Sequence, residues 1–367
     1  MIFALTDEQE MLRAAVRGAL ERSAPATTVR EWLEAGDGRP ATTVAVQQGW
    51  TGIGVPDTVD GGQGGGLVEL VLAVEEHARA SVPGALLAHT GLAVAAVLAA
   101  GGVADPLLQE LAAGERLAAL AVDAGSPLAA AVIDVAPFGD EWTASGTVAH
   151  VLGAQAADVI LVPVDVDGDV RLFCCDCSQA TVTPTPSADP GRDLSTVTLA
   201  DARVVRVGAS PVDLAVLGPR AAILVAADSL GAAQKMLDMT VQYIGEREQF
   251  GVPIGKFQSL KHTSAEMLVD VEVSRSATYF AAWSVDNGEP DLALHASVAK
   301  FVSGDAASRV ADNAMSLHGA VGFTWEHDLH FLYKRAKVNL SLFGSPSKHR
   351  QLIGDSLPLR VSAGVPA

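Results

Sequence analysis

Two short stretches in the last third of the chain carry residues that can hold an anionic cofactor. Arg247-Glu248-Gln249-Phe250-Gly251 sets a guanidinium near the end of a helical pattern, with a phenyl ring three residues on. A guanidinium is a planar fork of donors that matches two phosphate oxygens at once, and a ring offers a flat face for stacking. In His318-Gly319-Ala320-Val321-Gly322 the glycines let backbone N–H groups approach a phosphate closely. Together they suit the doubly charged pyrophosphate of a dinucleotide. The residues alone leave a plainer reading open, a helix-end ion pair plus a tight interhelical turn.

Other chemistry-bearing residues are scattered. Asp228 interrupts an apolar helical run from Ile223 to Ala233, and a lone buried acid is costly, so it needs a reason: a proton acceptor, an inter-helix hydrogen bond or a solvated position. Glu326 is a second acid near the glycine turn. His318, His327 and His330 lack a neighbouring carboxylate–histidine motif, and Cys174, Cys175 and Cys177 lack a nearby fourth ligand, so no metal site is assigned. The cysteines read as buried free thiols in a strand, in keeping with a reducing compartment. Gly61-Gly62-Gln63-Gly64-Gly65-Gly66 precedes a helix as a phosphate loop would, but no P-loop Lys or Ser/Thr follows, and it reads as a flexible surface turn.

These residues need elements to position them. Thr6-Asp7-Glu8-Gln9 is a capping box opening a helix through Leu12, Val16 and Leu20, and Leu67, Leu70, Val71 and Val74 share a face of another. After residue 116 the pattern turns to short strands: Val159-Ile160-Leu161-Val162, a hairpin turn at Asp167-Gly168, the return Val170–Cys174, then Val197-Thr198-Leu199. Beyond Pro211-Val212-Asp213 the helical period returns. Ala226, Leu230, Ala233, Leu237, Thr240 and Ile244 form one seam; Phe257, Leu260, Ser264, Met267, Val271 and Ser274 form a second. A third helix runs from about 291 to 316, and Ser345-Pro346 opens a last one. The expected fold is α+β multidomain: an N-terminal all-α domain (1–116), a middle β-domain of short strands (117–210) and a C-terminal four-helix bundle (211–367).

Composition narrows the classes. The 367 residues are 49% hydrophobic and 19% charged, enough for a large core and for an oligomer, and the formal net charge of −18 disfavours nucleic acid and anionic membranes. The apolar run Ala93–Ala100 stops at Gly101-Gly102, well short of the ~20 residues a membrane span needs. Met1 to Leu5 has no signal-peptide character, and a cytoplasmic location is expected.

Arg247 to Gln258, reading Arg-Glu-Gln-Phe-Gly-Val-Pro-Ile-Gly-Lys-Phe-Gln, resembles the Arg-x-x-Phe-Gly…Phe-Gln signature of acyl-CoA dehydrogenases. Leu317 to Phe323 resembles their Gly-Gly-x-Gly-Phe turn, Thr324 to Asp328 with Lys334-Arg335-Ala336 looks like a bacterial branch, and Leu5–Gln9 and Gly49–Gly62 look like the family's N-terminal domain. The resemblance implies the acyl-CoA dehydrogenase fold, FAD as cofactor, an acyl-CoA substrate (fatty or steroid side-chain) oxidised to its 2,3-enoyl form, and an electron-transfer partner. It implies FAD contacts at Arg247, Gln249, Phe250, Phe257, Gln258, Ser316, Leu317, His318, Gly319 and Ala320. In the family these serve a flavin held mainly by a neighbouring subunit, so a homo- or heterotetramer with a shared site is expected.

Elsewhere the chain departs from the family. The Thr-Glu-Pro-x-x-Gly-Ser segment is matched by Ala121-Val122-Asp123-Ala124-Gly125-Ser126, and the Trp-Ile-Thr strand by Gly146–Ala154. The two family positions for the catalytic base hold Ala221 and Phe343. Arg220 stands two places before Ala222, where some family members carry a substrate-binding arginine, and is the substrate-binding candidate. Asp228, two turns after Ala221 on the same helix, is the candidate base. Two readings follow: a chain active alone through Asp228, or a partner subunit completing a flavin site on a chain that carries the base. A flavin-free scaffold or redox-neutral enzyme on the same fold is the rival from another class.

Overall fold

The computed structural model describes residues 4–357 apart from 85, 105 and 140. The chain opens with helices: α1 (Asp7–Ser23), α2 (Ala26–Ala35), α3 (Arg39–Gln47), α4 (Leu67–Arg79), a π-helix over Leu87–Val94 that runs into α5 (Ala95–Ala99), and α6 (Pro106–Ala113). The capping box of α1 forms as expected. Gln9 N–H donates to Thr6 Oγ1 at 3.2 Å and Thr6 N–H donates to Gln9 Oε1 at 3.0 Å. Val16, Ala19 and Leu20 of α1 are buried, as are Leu67, Leu70, Val71 and Val74 of α4.

The glycine run before α4 is a correction. Its first part is packed, not a flexible turn: a Cβ on Gly61 would lie 2.4 Å from Ala113 N, and one on Gly62 2.1 Å from Pro56 O, while Gly64 has open space around it. The N-terminus of α4 has its anion already. The Asp286 carboxylate accepts from Leu67 N–H at 2.7 Å and Val68 N–H at 2.9 Å.

The middle of the chain forms one sheet: β1 (Ala118–Leu120), β2 (Ile133–Phe138), β3 (Glu141–Leu152), β4 (Val159–Val166), β5 (Asp169–Asp176), β6 (Ala180–Pro184) and β7 (Leu194–Val207). The order is β1-β4-β5-β7-β3-β2, with β6 also on β7; only β1–β4 is parallel. Asp167 (φ 56°) and Gly168 (φ 89°) make the expected two-residue turn between β4 and β5, both with the positive φ such a turn requires.

Beyond it come α7 (Leu214–Glu246), the short ladder β8 (Glu248–Gln249) and β9 (Val252–Pro253), α8 (Gln258–Asp286), α9 (Leu292–His318), α10 (Leu329–Asn339) and α11 (Pro346–Ser356). All six seam residues of α7 named above are buried. The α8 seam is buried only from Met267 on; its first turns stand out from the bundle. α10 packs on α7 and α9, and α11 on α9, so two short helices follow the three long ones. By length and composition α7 could cross a membrane, but 72% of its apolar window is buried within the protein, as a bundle core requires. Ser345 caps α11, accepting from Lys348 N–H at 3.3 Å, with Pro346 in the first turn.

Candidate functional site

α7 ends where Arg247 N–H donates to Tyr243 O at 2.8 Å, and Ile254 N–H returns to Arg247 O at 2.8 Å, closing the β8–β9 hairpin. Phe250 turns the hairpin at φ 56°, followed by Gly251 at φ 78°. One turn before Arg247, the Tyr243 ring stacks on His318 at 4.5 Å, so the two motifs meet at one end of the bundle. His318 is buried, its Nδ1–H donating to Ala314 O at 2.8 Å; burial lowers its pKa, and that hydrogen bond works the other way. Gly322 packs against it, whereas Gly319, at φ 60°, has open space where a Cβ would stand.

What this end presents outward is open. Arg247, Gln249, Gln258, Ser316, Gly319 and Ala320 are exposed, and Leu317 is half-buried. Phe250 is 90% exposed and Phe257 38%, with ring centroids 6.0 Å apart. Among the described residues, no carboxylate lies within ion-pair distance of Arg247. An unpaired guanidinium, two open rings and an accessible glycine turn fit the pyrophosphate and flat ring of a flavin dinucleotide.

The segment on the sheet side does not offer the same openness. Gly125 N–H donates to Asp123 Oδ1 at 2.8 Å, Ser126 N–H to Asp123 O at 3.3 Å and Ala124 N–H to His150 O at 3.3 Å. Asp123 also pairs with His150 Nδ1 at 3.0 Å. Three consecutive N–H groups of the segment matched to the family's Thr-Glu-Pro-x-x-Gly-Ser stretch are thus bonded to the chain's own acceptors.

Both base positions are apolar and closed. Ala221 is fully buried and Phe343 is 2% exposed, its N–H donating to Ala124 O at 2.7 Å. Phe343 is held at φ 51° by its neighbours: His349 Nε2 donates to its carbonyl at 3.0 Å, and the buried Lys300 ammonium donates to Asn339 O at 2.9 Å and to Leu340 O and Gly344 O at 3.3 Å. With no carboxylate beside it, Lys300 is pushed down to about 8 by burial, Asp305 opposing that only from a distance. Arg220, the substrate-binding candidate, donates Nε–H to Gly91 O at 2.7 Å, inside the π-helix. Burial lowers it to about 10, and the charge of Asp286 offsets part of that.

Asp228 does not have the geometry of a base, which corrects the expectation from its position. It is buried in an ion-pair network: Arg192 Nη2 bonds its Oδ1, Asn339 Nδ2 donates to the same oxygen at 2.9 Å, and Arg192 also reaches Asn339 Oδ1 at 2.7 Å. Arg335 donates to Asp189 at 3.3 Å and to the carbonyls of Ser81 and Val82 at 3.3 and 3.2 Å. Burial alone would raise the Asp228 pKa; the charges of Arg192 and Arg335 and the hydrogen bonds from Asn339 and Arg192 outweigh it and hold the carboxyl below its ordinary value. A base for a weakly acidic C–H needs the opposite shift and an open path. Arg192, Asp189 and Asn339 escaped the sequence reading, and Arg335 entered it only as part of the bacterial-branch resemblance; the spacing of Arg335 and Asn339, one turn apart on α10, is the local signal that could have flagged their role.

The remaining candidates are peripheral. Glu326 is exposed in the loop between α9 and α10. His318 and His327 approach to 4.9 Å between ring centroids, while His330 stacks on Trp325 at 4.6 Å. Cys175 is buried, its thiol pushed up to about 11, but Cys174 and Cys177 are only half-buried, less than the sequence led us to expect.

Comparison with known proteins fits this geometry. The family model for the acyl-CoA dehydrogenase N-terminal domain matches residues 6–115, and that for the C-terminal domain matches residues 219–357. Acyl-CoA dehydrogenase FadE34 of Mycobacterium tuberculosis is 36% identical over 352 residues, covering 92% of this chain and 46% of that protein, so the chain spans about half the length of this relative. Acyl-CoA dehydrogenase IpdE2 of Mycolicibacterium smegmatis is 30% identical over 345 residues, covering 93% of this chain and 96% of that protein. Among solved structures, the ChsE4-ChsE5 complex from Mycobacterium tuberculosis contains a chain that superposes with a TM-score of 0.87 at 26% identity, covering 100% of both chains. On these grounds the chain belongs to the acyl-CoA dehydrogenase family and has its fold.

Proposed function

We propose that this chain, with domain limits near residues 116 and 210, is a subunit of a flavin-dependent acyl-CoA dehydrogenase that oxidises an acyl-CoA thioester to the 2,3-enoyl-CoA. Its part is to complete an FAD site whose ring side and catalytic base lie on another chain. One observation carries this. The residues of the two C-terminal motifs converge on an open, unpaired end of the bundle, while the chain's own ring-side N–H groups and both base positions are closed. The complex of two named chains among the solved structures supports a heteromeric assembly.

When bound, FAD accepts the hydride that leaves the β-carbon of the substrate. This chain's residues bind and orient. Arg247 would hold the pyrophosphate, the Gly319 turn would let backbone N–H groups approach it, and Phe250 and Phe257 would supply ring faces. Gln249, Gln258, Ser316, Leu317, His318 and Ala320 line the same end; the Tyr243–His318 stack fixes the turn relative to α7. The acyl group is a fatty or steroid side-chain, electrons leave to a separate transfer partner, and the free thiols of Cys175 and Cys177 favour the cytoplasm.

The test is Arg247→Ala in whichever assembly holds flavin. Loss of a bidentate charged contact costs about 1.5–3 kcal/mol, so flavin affinity should fall roughly ten- to a hundredfold while the chain stays folded. Unchanged flavin content would remove Arg247 from the site.

A further inference from the structure

Away from the flavin motifs, a cavity of about 400 Å³ lies between the end of α1, α2, the end of α4, the middle of α7 and α10. Its walls are of two kinds. Leu20, Val29, Leu33 and Phe331 line one part, and all four are buried. Lys235, Arg79 and the exposed Glu21 line another, and not all of the cationic donors there are used. Lys235 is half-buried, and among the described residues it has no carboxylate within ion-pair distance and no hydrogen-bond acceptor. Arg79 donates one Nη2–H to Asp238 at 2.8 Å and lies 4.0 Å from Glu76, but its Nε–H is buried without an acceptor. Asp238 lies one turn after Lys235 on α7, so its bond to Arg79, at the end of α4, brings that guanidinium to the stretch of α7 that carries Lys235. The other arginines of the wall are neutralised, Arg17 by Glu76 and Arg30 by Asp328.

An apolar wall beside an ammonium with no carboxylate and a buried guanidinium N–H with no acceptor selects a ligand divided in the same way, and the volume lies within the range of about 300–1,000 Å³ found for small-molecule sites. A free inorganic anion would leave the apolar wall wet. A neutral hydrocarbon would leave the Arg79 Nε–H without its acceptor. We infer that this cavity binds a small amphipathic carboxylate, its head at Lys235 and Arg79 and its body against Leu20, Val29, Leu33 and Phe331. The inference is independent of the proposed dehydrogenase role, since none of these residues belongs to the flavin-facing end of the bundle.

The experiment is a calorimetric titration of the assembled protein with octanoate, using octanol and acetate as probes without the head and without the body. The expected result is saturable binding of one octanoate per chain, weakened roughly tenfold in Lys235→Gln and retained in Lys235→Arg. Octanol and acetate should each bind much more weakly. Flavin content should be the same in Lys235→Gln as in the parent, which separates this test from that of the flavin site. Octanoate binding that Lys235→Gln leaves unchanged would put the ligand elsewhere and overturn the inference, as would no saturable binding at millimolar octanoate.

Discussion

Asp228→Asn separates a structural carboxylate from a catalytic one. The substitution keeps shape and most hydrogen bonding but removes the charge that Arg192 faces across its Asp228 bond. Asp189 would then be left to balance both Arg192, at 3.6 Å, and Arg335, at 3.3 Å, in a buried setting. Breaking a buried pair by neutralising one partner costs about 3–5 kcal/mol. An unfolding entropy of about 2.1 cal/mol/K per residue gives a chain of 367 residues about 0.8 kcal/mol/K, so Tm should fall by roughly 4–6 °C. The pH dependence has a definite sign. The folded pKa of Asp228 lies below its unfolded value, so its contribution is fully present above about 3.9 and is lost as pH falls below that toward the folded pKa. Thermal denaturation of parent and variant near neutral pH and at acid pH reads both effects: the gap in Tm should narrow on the acid side. Activity of the assembly, measured below the melting range, should hardly change. A variant of unaltered Tm whose flavin reduction by substrate is slowed ~10²-fold would refute the structural role and restore Asp228 as base.

Other outcomes follow from the same geometry. Asp286→Ala removes the cap of α4 and should cost about 1 kcal/mol, read by chemical denaturation. Gly62→Ala puts a Cβ 2.1 Å from Pro56 O and should destabilise by several times RT, in contrast to Gly64→Ala, which meets no atom but must adopt φ 65°. Lys300, held at about 8, binds its proton less readily in the folded than in the unfolded chain. Its burial cost is therefore full below pH 8, and stability should rise between pH 8 and about 10.4; Lys300→Met should flatten that part of the stability profile.

What could be read from the sequence was local. The Thr6–Gln9 box, the Asp167-Gly168 turn, the α7 seam and the Ser345-Pro346 start each depend on residues within a few positions of one another, and each formed. The two C-terminal motifs were legible because each is contiguous, although nothing local showed that Tyr243 would stack on His318 and bring them together. The misreadings were non-local. Asp228 looked like an unexplained acid because its partners Arg192 and Asn339 are 36 and 111 positions away. The glycine run looked loose because the carboxylate that closes it, Asp286, is 219 positions from Leu67. Phe343 and Ala221 were recognisable as missing carboxylates, but that their surroundings had closed over them is a matter of packing, which one-dimensional periodicity does not carry.

The central claim, that this chain completes a flavin site on another chain, is tested most directly by the ratio of flavin to polypeptide in the purified protein, from visible flavin absorbance and native mass, alone and co-expressed with the companion that carries the base. The account predicts little flavin and no turnover for the chain alone, and with the companion a tetramer holding fewer flavins than chains that dehydrogenates acyl-CoA. A homotetramer of this chain with one flavin per subunit and full acyl-CoA dehydrogenation would contradict it.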